Sequence, residues 1–448
     1  MTSGLIDFAL VSVLLIIATY MRRHIKILQR YYIPAALIAG ILGILLGPHV
    51  LGTISPVHLS FSKGASGWTG ILTTIIFACS FLGLKLENVS RSAMQTYLLA
   101  GIIHQAQVVV GLTLTLLCMY FVTDLPFGLG ILPVMALYGG HGFAIATGSV
   151  LEEAQYLANG SQVGATFATI GVLAGIIWGM IEVNREARRG GTSIKMKIED
   201  MPEELLTGYC PPGNRRSIGS AVTDSSTLDP LASQFMLVGF IVLCGFGLRT
   251  VLINIHPFFL NLPLLACSLI FSAIFTICTQ KVDRVNNMID RATITRISGF
   301  CLEYMIALNI SITNLSLFLD YGVAIVVVSI GCLIVTYYCS FILARKVLAK
   351  NGRFETEVGM FGQACGVLAT GLLLLKVIDP DFKTNGATNI TSSSTLGYTF
   401  QLPYVLIMVP LIMIKPQFVF IVSWVLLVVF LVAGLFFGHR WNKEEVNG

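Results

Sequence analysis

The chain has 448 residues, 55% of them hydrophobic and only 11% charged, with a mean hydropathy of +0.82. That leaves too little polar surface to solvate a soluble globule, so a polytopic membrane protein is expected and soluble scaffold or receptor readings fall away. The formal net charge of +5 is spread over loops, which makes it a topology signal and excludes nucleic acid as a partner.

Apolar runs near the roughly 20 residues needed to cross a hydrocarbon core fall at Leu5 to Met21, Ile33 to Leu51, Trp68 to Leu84, Tyr97 to Val122 and Val163 to Ile181. The first is followed by its basic cluster (Arg22, Arg23, Lys26, Arg30), the reverse of a secretory signal, so the N-terminus is expected outside. Threading on from there, the inner segments carry Lys85 and Arg91, then Arg185, Arg188, Arg189, Lys195, Lys197, Arg215 and Arg216. Between Glu182 and Gln234 the apolar pattern stops in a mixed-charge stretch rich in Gly, Pro and Ser, which reads as a cytoplasmic linker. A second set of runs follows at Phe235 to Asn254, Leu262 to Thr279, Ser298 to Leu319, Gly322 to Leu343 and Leu396 to Ile414, and an additional run at Gln417 to Gly438. Here the inner basic residues are Lys281, Arg284, Arg291 and Arg296, then Arg345, Lys346, Lys350 and Arg353, with Arg440 and Lys443 in the tail, whereas Lys63 is the main exception in nearly bare outer loops. The ten cysteines stand singly, without ligand spacing, and read as small core residues.

Five crossings in each half is an odd number, so two related halves must face opposite ways. Pro34 opens the second run of the first half and Pro263 that of the second, and Ser80 and Asn309 in the third runs stand at the same offset. The expected architecture is all-α: two inverted repeats of about five spans, over 1–181 and 235–416, joined by a linker over 182–234, with an added C-terminal helix and tail over 417–448.

Two segments interrupt this pattern at corresponding places, LYGGHGFAIATG from Leu137 to Gly148 and MFGQACGVLATG from Met360 to Gly371. Each glycine costs a helix interior about 1 kcal/mol, so helix, turn, helix is expected at about 127–158 and again at about 354–380, as re-entrant hairpins. Irregular backbone at membrane depth survives only where it is buried in protein or lines a wet cavity. Paired broken segments mark the substrate site of a secondary transporter: helix N-termini favour an anionic group, and free carbonyls suit Na+. Gly139, Gly140, His141, Gly142, Thr147, Gln363, Cys365, Gly366 and Thr370 are the substrate candidates. Gly140, Gly362, Ser80, Asn309 and Thr166 are the Na+ candidates, and Thr169 adds a further neutral oxygen. Other polar residues inside runs are His104, Gln105 and Gln107, for which interhelical hydrogen bonding is the default, and Glu303, expensive in a span unless paired, protonated or wet.

The GGHG hairpin, the PAALIAG second run, the IEDMPEE linker and the ATG hairpin followed by LLLLKVIDPDFK resemble the bacterial sodium/glutamate symporters over nearly the whole chain. The resemblance implies the fold of the sodium/citrate symporters, a homodimer in the inner membrane, and a transport domain moving like an elevator against a fixed scaffold. It further implies Na+-coupled uptake of L-glutamate at the tips Gly139 to Gly142 and Gly362 to Gly366, with Na+ as the co-transported ion and no organic cofactor. Better-known members carry a GFGLGATPT-like second hairpin where FGQACGVLAT stands here, which makes Gln363 and Cys365 the positions expected to reshape the pocket. Citrate or malate is the nearest rival substrate. An ion channel would need a continuous pore, a proton antiporter mid-membrane Asp pairs, and an enzyme a convergent nucleophile and base, so no enzymatic activity is expected.

Overall fold

A computed structural model describes residues 2–30, 33–84, 90–189, 207–215, 217–256, 263–280, 282–313, 317–350, 352–379 and 383–447. Lys85, Lys195, Lys197, Arg216, Lys281 and the 198–204 linker motif lie outside the described residues. All regular structure among the described residues is helical, and seven helices are long and apolar enough to cross a membrane.

The chain divides into two compact units, and each draws on both halves of the sequence. The first comprises Met1–His24, Pro34–Glu87 and Thr207–Thr313. It contains α1 (Thr2–His24), α2 (Ala35–Leu46), α3 (Ala65–Cys79), α8 (Pro230–Ile255), α9 (Leu264–Thr279) and α10 (Arg291–Ser311). Pro34 and Pro263 each stand at the N-cap of the helix that follows, where a missing N–H costs nothing. Small residues let these helices close up: Gly40 and Gly43 of α2 lie against Ile310 and Ser311 of α10, and Gly245 of α8 against Ser268 of α9. Ala78, Cys79, Leu82, Val238, Ile241, Ile294 and Ile297 form the core where α3, α8 and α10 meet. The last carbonyls of the α3 segment, orphaned by the helix end, are taken by Arg291, which donates to Cys79 O and Leu82 O at 2.8 Å each.

The second unit comprises Ile25–Ile33, Asn88–Leu206 and Asn314–Gly448. From the first half it takes α4 (Arg91–Cys118), the short pair α5 (Leu132–Leu137) and α6 (Gly140–Glu153), and α7 (Gly160–Arg189). From the second it takes α11 (Leu317–Tyr337), which runs through a π-helical turn into α12 (Ala344–Val347), and the short pair α13 (Arg353–Cys365) and α14 (Leu368–Ile378). α15 (Gly386–Pro403) passes through a second π-helical turn, Tyr404–Met408, into α16 (Val409–Ile414), and α17 (Pro416–Asn447) closes the chain. α4 packs against α11, α15 and α17, and α7 packs against all four short helices. Burial separates inner from outer helices: 72% of the most apolar window of α4 is buried, against 17% for α17 in the same unit.

Helix bounds depart from the apolar runs: α4, α10 and α15 start early, at Arg91, Arg291 and Gly386, α10 stops at Ser311, and two helices run on at their C-terminal ends. α7 continues to Arg189 because EVNREARR is built of good helix formers with a Glu182–Arg185 pair at 3.3 Å, and α17 carries its polar tail as helix to Asn447.

Asp290 caps α10 and also ties Ser220 to it: its carboxylate accepts from Thr293 N (2.9 Å), Thr293 Oγ1 (2.5 Å) and Ser220 N (3.1 Å). Partial burial works against the charge, but the bonds from the Thr293 hydroxyl and the amides of Ser220, Thr293 and Ala292 outweigh it and hold the pKa below the usual carboxylate range. Asp290→Ala is expected to cost about 1 kcal/mol, read as a lower Tm of the detergent-solubilised protein. The advantage of wild type over Asp290→Asn should be full at neutral pH and should disappear as pH falls through that depressed value.

Candidate functional site

Both glycine-rich segments contain a helix break, and both breaks lie in the second unit. The first turn is Tyr138–Gly139, followed by Gly140 at φ +69°, a left-handed conformation that suits glycine. The second turn is Gly366–Val367. The two tips touch: a Cβ placed on Gly140 would run into Val367 Cγ1 and stand 3.2 Å from Gly366 O. Two helix N-termini therefore arrive at one place, α6 beginning at Gly140 and α14 at Leu368. Their first amides have no intrahelical partner and carry the positive end of the helix dipole.

Close packing of small residues holds these breaks inside protein. Gly148 of α6 meets Gly160 of α7 backbone to backbone, and Gly164 meets Ala144 O. Further along α7, Gly171 faces Cys365 O and Gly175 faces Cys365 Cβ. The arms α13 and α14 cross at Gly362, where an added Cβ would stand 2.8 Å from Gly371 Cα.

Beside the tips, α4 supplies a buried polar row. Gln107 Nε2 donates to Thr336 Oγ1 of α11 (2.7 Å) and to Ala364 O at the second tip (2.8 Å). Gln363 Nε2 donates to the Tyr138 hydroxyl at the first tip (3.3 Å). The His104 ring is enclosed by Phe400, Tyr404 and Tyr138, with centroids at 4.8, 5.1 and 5.6 Å. Tyr404, in the π-helical turn after Pro403, donates to Gln105 Oε1 (2.5 Å) and meets Ser423 of α17 (3.0 Å). Several buried polar atoms in this unit have no protein partner: both ring nitrogens of His104, Gln105 Nε2, Gln107 Oε1, Gln363 Oε1 and Thr147 Oγ1. Each such atom costs about 1–3 kcal/mol if nothing meets it, and those of His104, Gln107 and Gln363 belong to side chains that touch the tips, which fits a place for a polar ligand.

The structure brings together Gly139, Gly140, Gln363, Gly366, Thr370, Gln107 and His104. His141, in the first turn of α6, pairs through Nε2 with Thr169 Oγ1 of α7 at 3.1 Å, and Gly142 follows it in that turn. The Thr370 hydroxyl lies 2.7 Å from where a Cβ on Gly366 would stand. Cys365 is buried against α7, and Gly362 lies at the crossing of the α13 and α14 arms. Thr166 Oγ1 donates to Gln162 O (2.9 Å), one turn back in α7. Ser80, Asn309 and Glu303 belong to the first unit. There Ser80 Oγ bonds Ile76 O (3.1 Å), Asn309 is buried with Oδ1 unpartnered, and Glu303 lies on the exposed face of α10 with Arg22 as its charged neighbour.

Sequence reasoning passed over Tyr138, Thr336 and Tyr404. Tyr138 directly precedes the GGHG run, and the proline just before Tyr404 was the available sign of an irregular turn. It also passed over three deeply buried acids. Asp7 of α1 accepts from Ser62 N (2.9 Å) and Ser62 Oγ (2.5 Å), and Glu355 and Glu357 sit in α13, the latter 3.4 Å from Arg353 Nε.

Compared with known families, the chain matches the sodium/glutamate symporter family over residues 3–382. A comparison with curated proteins gives no match.

The touching tips can be tested without any ligand. Gly140→Ala is expected to cost about 1–2 kcal/mol in backbone strain alone, with more from the collision with Val367, and to lower Tm. Gly239→Ala in α8, where an added Cβ meets nothing within 4 Å, is the control and should leave Tm unchanged or slightly raised.

Proposed function

Since this chain belongs to the sodium/glutamate symporter family, a family of membrane transporters and not of enzymes, we propose that it imports L-glutamate together with Na+ at the touching tips of the second unit. The observation that carries this reading is the arrival of the α6 and α14 N-termini at one contact beside unpartnered atoms of His104, Gln107 and Gln363. Each group of an amino-dicarboxylate has a counterpart there. Carboxylates suit the free amides of the two helix starts and a donor from His104. The ammonium group suits the neutral oxygens Gln107 Oε1 and Gln363 Oε1, which accept without the cost of a buried charge. Na+ suits the remaining neutral oxygens, the tip carbonyls and the Thr147 hydroxyl. Binding Na+ first puts a positive charge in the site, which offsets the two carboxylates that follow it into low dielectric.

The wider proposal is an inverted repeat. Each half supplies three helices to the first unit and a long helix, a broken pair and a further helix to the second, to which the second half adds α17, the division expected of a scaffold and a moving transport domain in an elevator. Five crossings per half give the halves opposite orientations, with the N-terminus outside and the linker in the cytoplasm. The inner membrane and a homodimer through the scaffold complete the proposal. Each net positive charge carried inward gains about 2.3 kcal/mol per 100 mV, so uptake of a monoanion with two or more Na+ is electrogenic.

The test is uptake of labelled L-glutamate by proteoliposomes under an inward Na+ gradient, with K+ in place of Na+ as control. Na+-dependent uptake competed by unlabelled aspartate or D-glutamate is the expected result, and Gln107→Leu should weaken apparent affinity about tenfold by removing a charge-assisted bond. Competition by citrate or malate alone would move the substrate to another organic acid. Folded protein that takes up no acid in a Na+-dependent way would overturn the symporter reading.

A further inference from the structure

Away from the hairpin tips, α12 and the C-terminal end of α17 enclose a groove that the transport chemistry does not use. Arg345, Lys346 and Lys350 line one side, His439 and Lys443 the other, with Leu435 and Asn442 between them, around an open cavity of about 690 Å³. No carboxylate is among the described residues lining it, and all four Lys and Arg side chains are exposed. These charges do not ride on a loose tail. Gly438 packs on the α12 backbone, an added Cβ standing 2.8 Å from Lys346 O, and Gly434 one turn earlier meets Ile102 and Val347. Asn442 pins the end of α17, accepting from Gln95 Nε2 (3.2 Å) and donating to Leu348 O (3.1 Å). Four cations held this close repel one another, and an anion that several of them can reach relieves the repulsion.

We propose that this groove binds the phosphate of an anionic phospholipid whose acyl chains lie along α17. The shared chemistry is a phosphate oxyanion, and the helix itself argues for its lipid form. Towards its N-terminus from the groove, α17 exposes Val425, Val428, Val429, Val432 and Phe436, so an apolar face leads directly into the cationic lining. A headgroup in the groove and chains on that face satisfy both surfaces at once, whereas a free phosphate would use only the first. The site depends on α17, which lies beyond the residues matched by the symporter family, and the proposal stands independently of what the hairpin tips carry.

The experiment is native mass spectrometry of the purified full-length protein with phosphatidylglycerol, with phosphatidylcholine, and with phosphatidylglycerol plus millimolar inorganic phosphate. Retention of phosphatidylglycerol over phosphatidylcholine, undisturbed by phosphate, is expected. The Lys346→Gln, Lys350→Gln, Lys443→Gln triple variant should bind phosphatidylglycerol on the order of a hundredfold more weakly, each interfacial cation contributing about a fivefold factor. The corresponding triple Arg variant should retain it. Melting curves without lipid check that both variants fold. Equal retention of the two lipids by wild type overturns the proposal whether or not the Gln variant folds, and so does equal phosphatidylglycerol binding by wild type and Gln variant. Displacement by inorganic phosphate would replace the lipid site with a soluble-anion site.

Discussion

Backbone amides and carbonyls cannot be left bare in hydrocarbon, where each unsatisfied group costs several kcal/mol. That constraint governs the second unit. Its two helix breaks, at Tyr138–Gly139 and Gly366–Val367, have to be kept from lipid by protein or by a wet cavity, and the packing answers the need. Glycines on α7 let it run against both broken pairs, Gly164 beside Ala144 and Gly171 beside Cys365. A larger residue at any of these points would push the helix outward and open the tips to lipid. Gln107 then takes the Ala364 carbonyl, one of those left free at the end of α13. The small-residue interface and the buried α4 amide serve the same end: they let a chain stop being helical where a helix would be cheapest.

What the breaks gain for this cost is chemistry without fixed charge. At and beside the tips the groups on offer are helix N-termini, an imidazole and two glutamine oxygens. Dipoles and neutral oxygens can bind a carboxylate, an ammonium and a hard cation in turn and release them, whereas a resident Arg or Asp would hold one sign tightly and pay for desolvation whenever the site emptied. Acids and bases are instead placed elsewhere: Asp7 tied to Ser62 in the first unit, Glu357 beside Arg353 at the start of α13, and the cations of α12 and α17 around their groove.

Much of this was legible in the sequence because the strongest signals are those of hydrocarbon itself. Long apolar runs, Pro34 and Pro263 opening short helices, and glycines interrupting two runs all carry a local physical cause; the prolines stand at helix starts and the glycines beside helix breaks, while the runs drift from the helices at α10 and α15. The division into units was hidden, since α1–α3 and α8–α10 come together through contacts between residues far apart in sequence, such as Gly43 with Ser311. The polar row was half visible. Gln107 stood out as a polar residue in an apolar run, but its partners Thr336 and Ala364 are ordinary residues with nothing local to mark them. Tyr404 depends on a π-helical turn, and helical periodicity gives no sign of one. Glu303 drew attention as an acid inside a run, yet periodicity alone did not show that it lies on the exposed side of α10.

The central claim is that the substrate and Na+ meet the chain at the two touching tips. Hydrogen exchange of the purified protein tests it most directly, comparing apo protein with Na+ alone, L-glutamate alone and both together. Na+ and L-glutamate together are expected to slow exchange of the amides at 139–143 and 367–369 more than either alone, because those amides become donors to bound carboxylates. Protection confined to other segments, with these two unchanged, would contradict it.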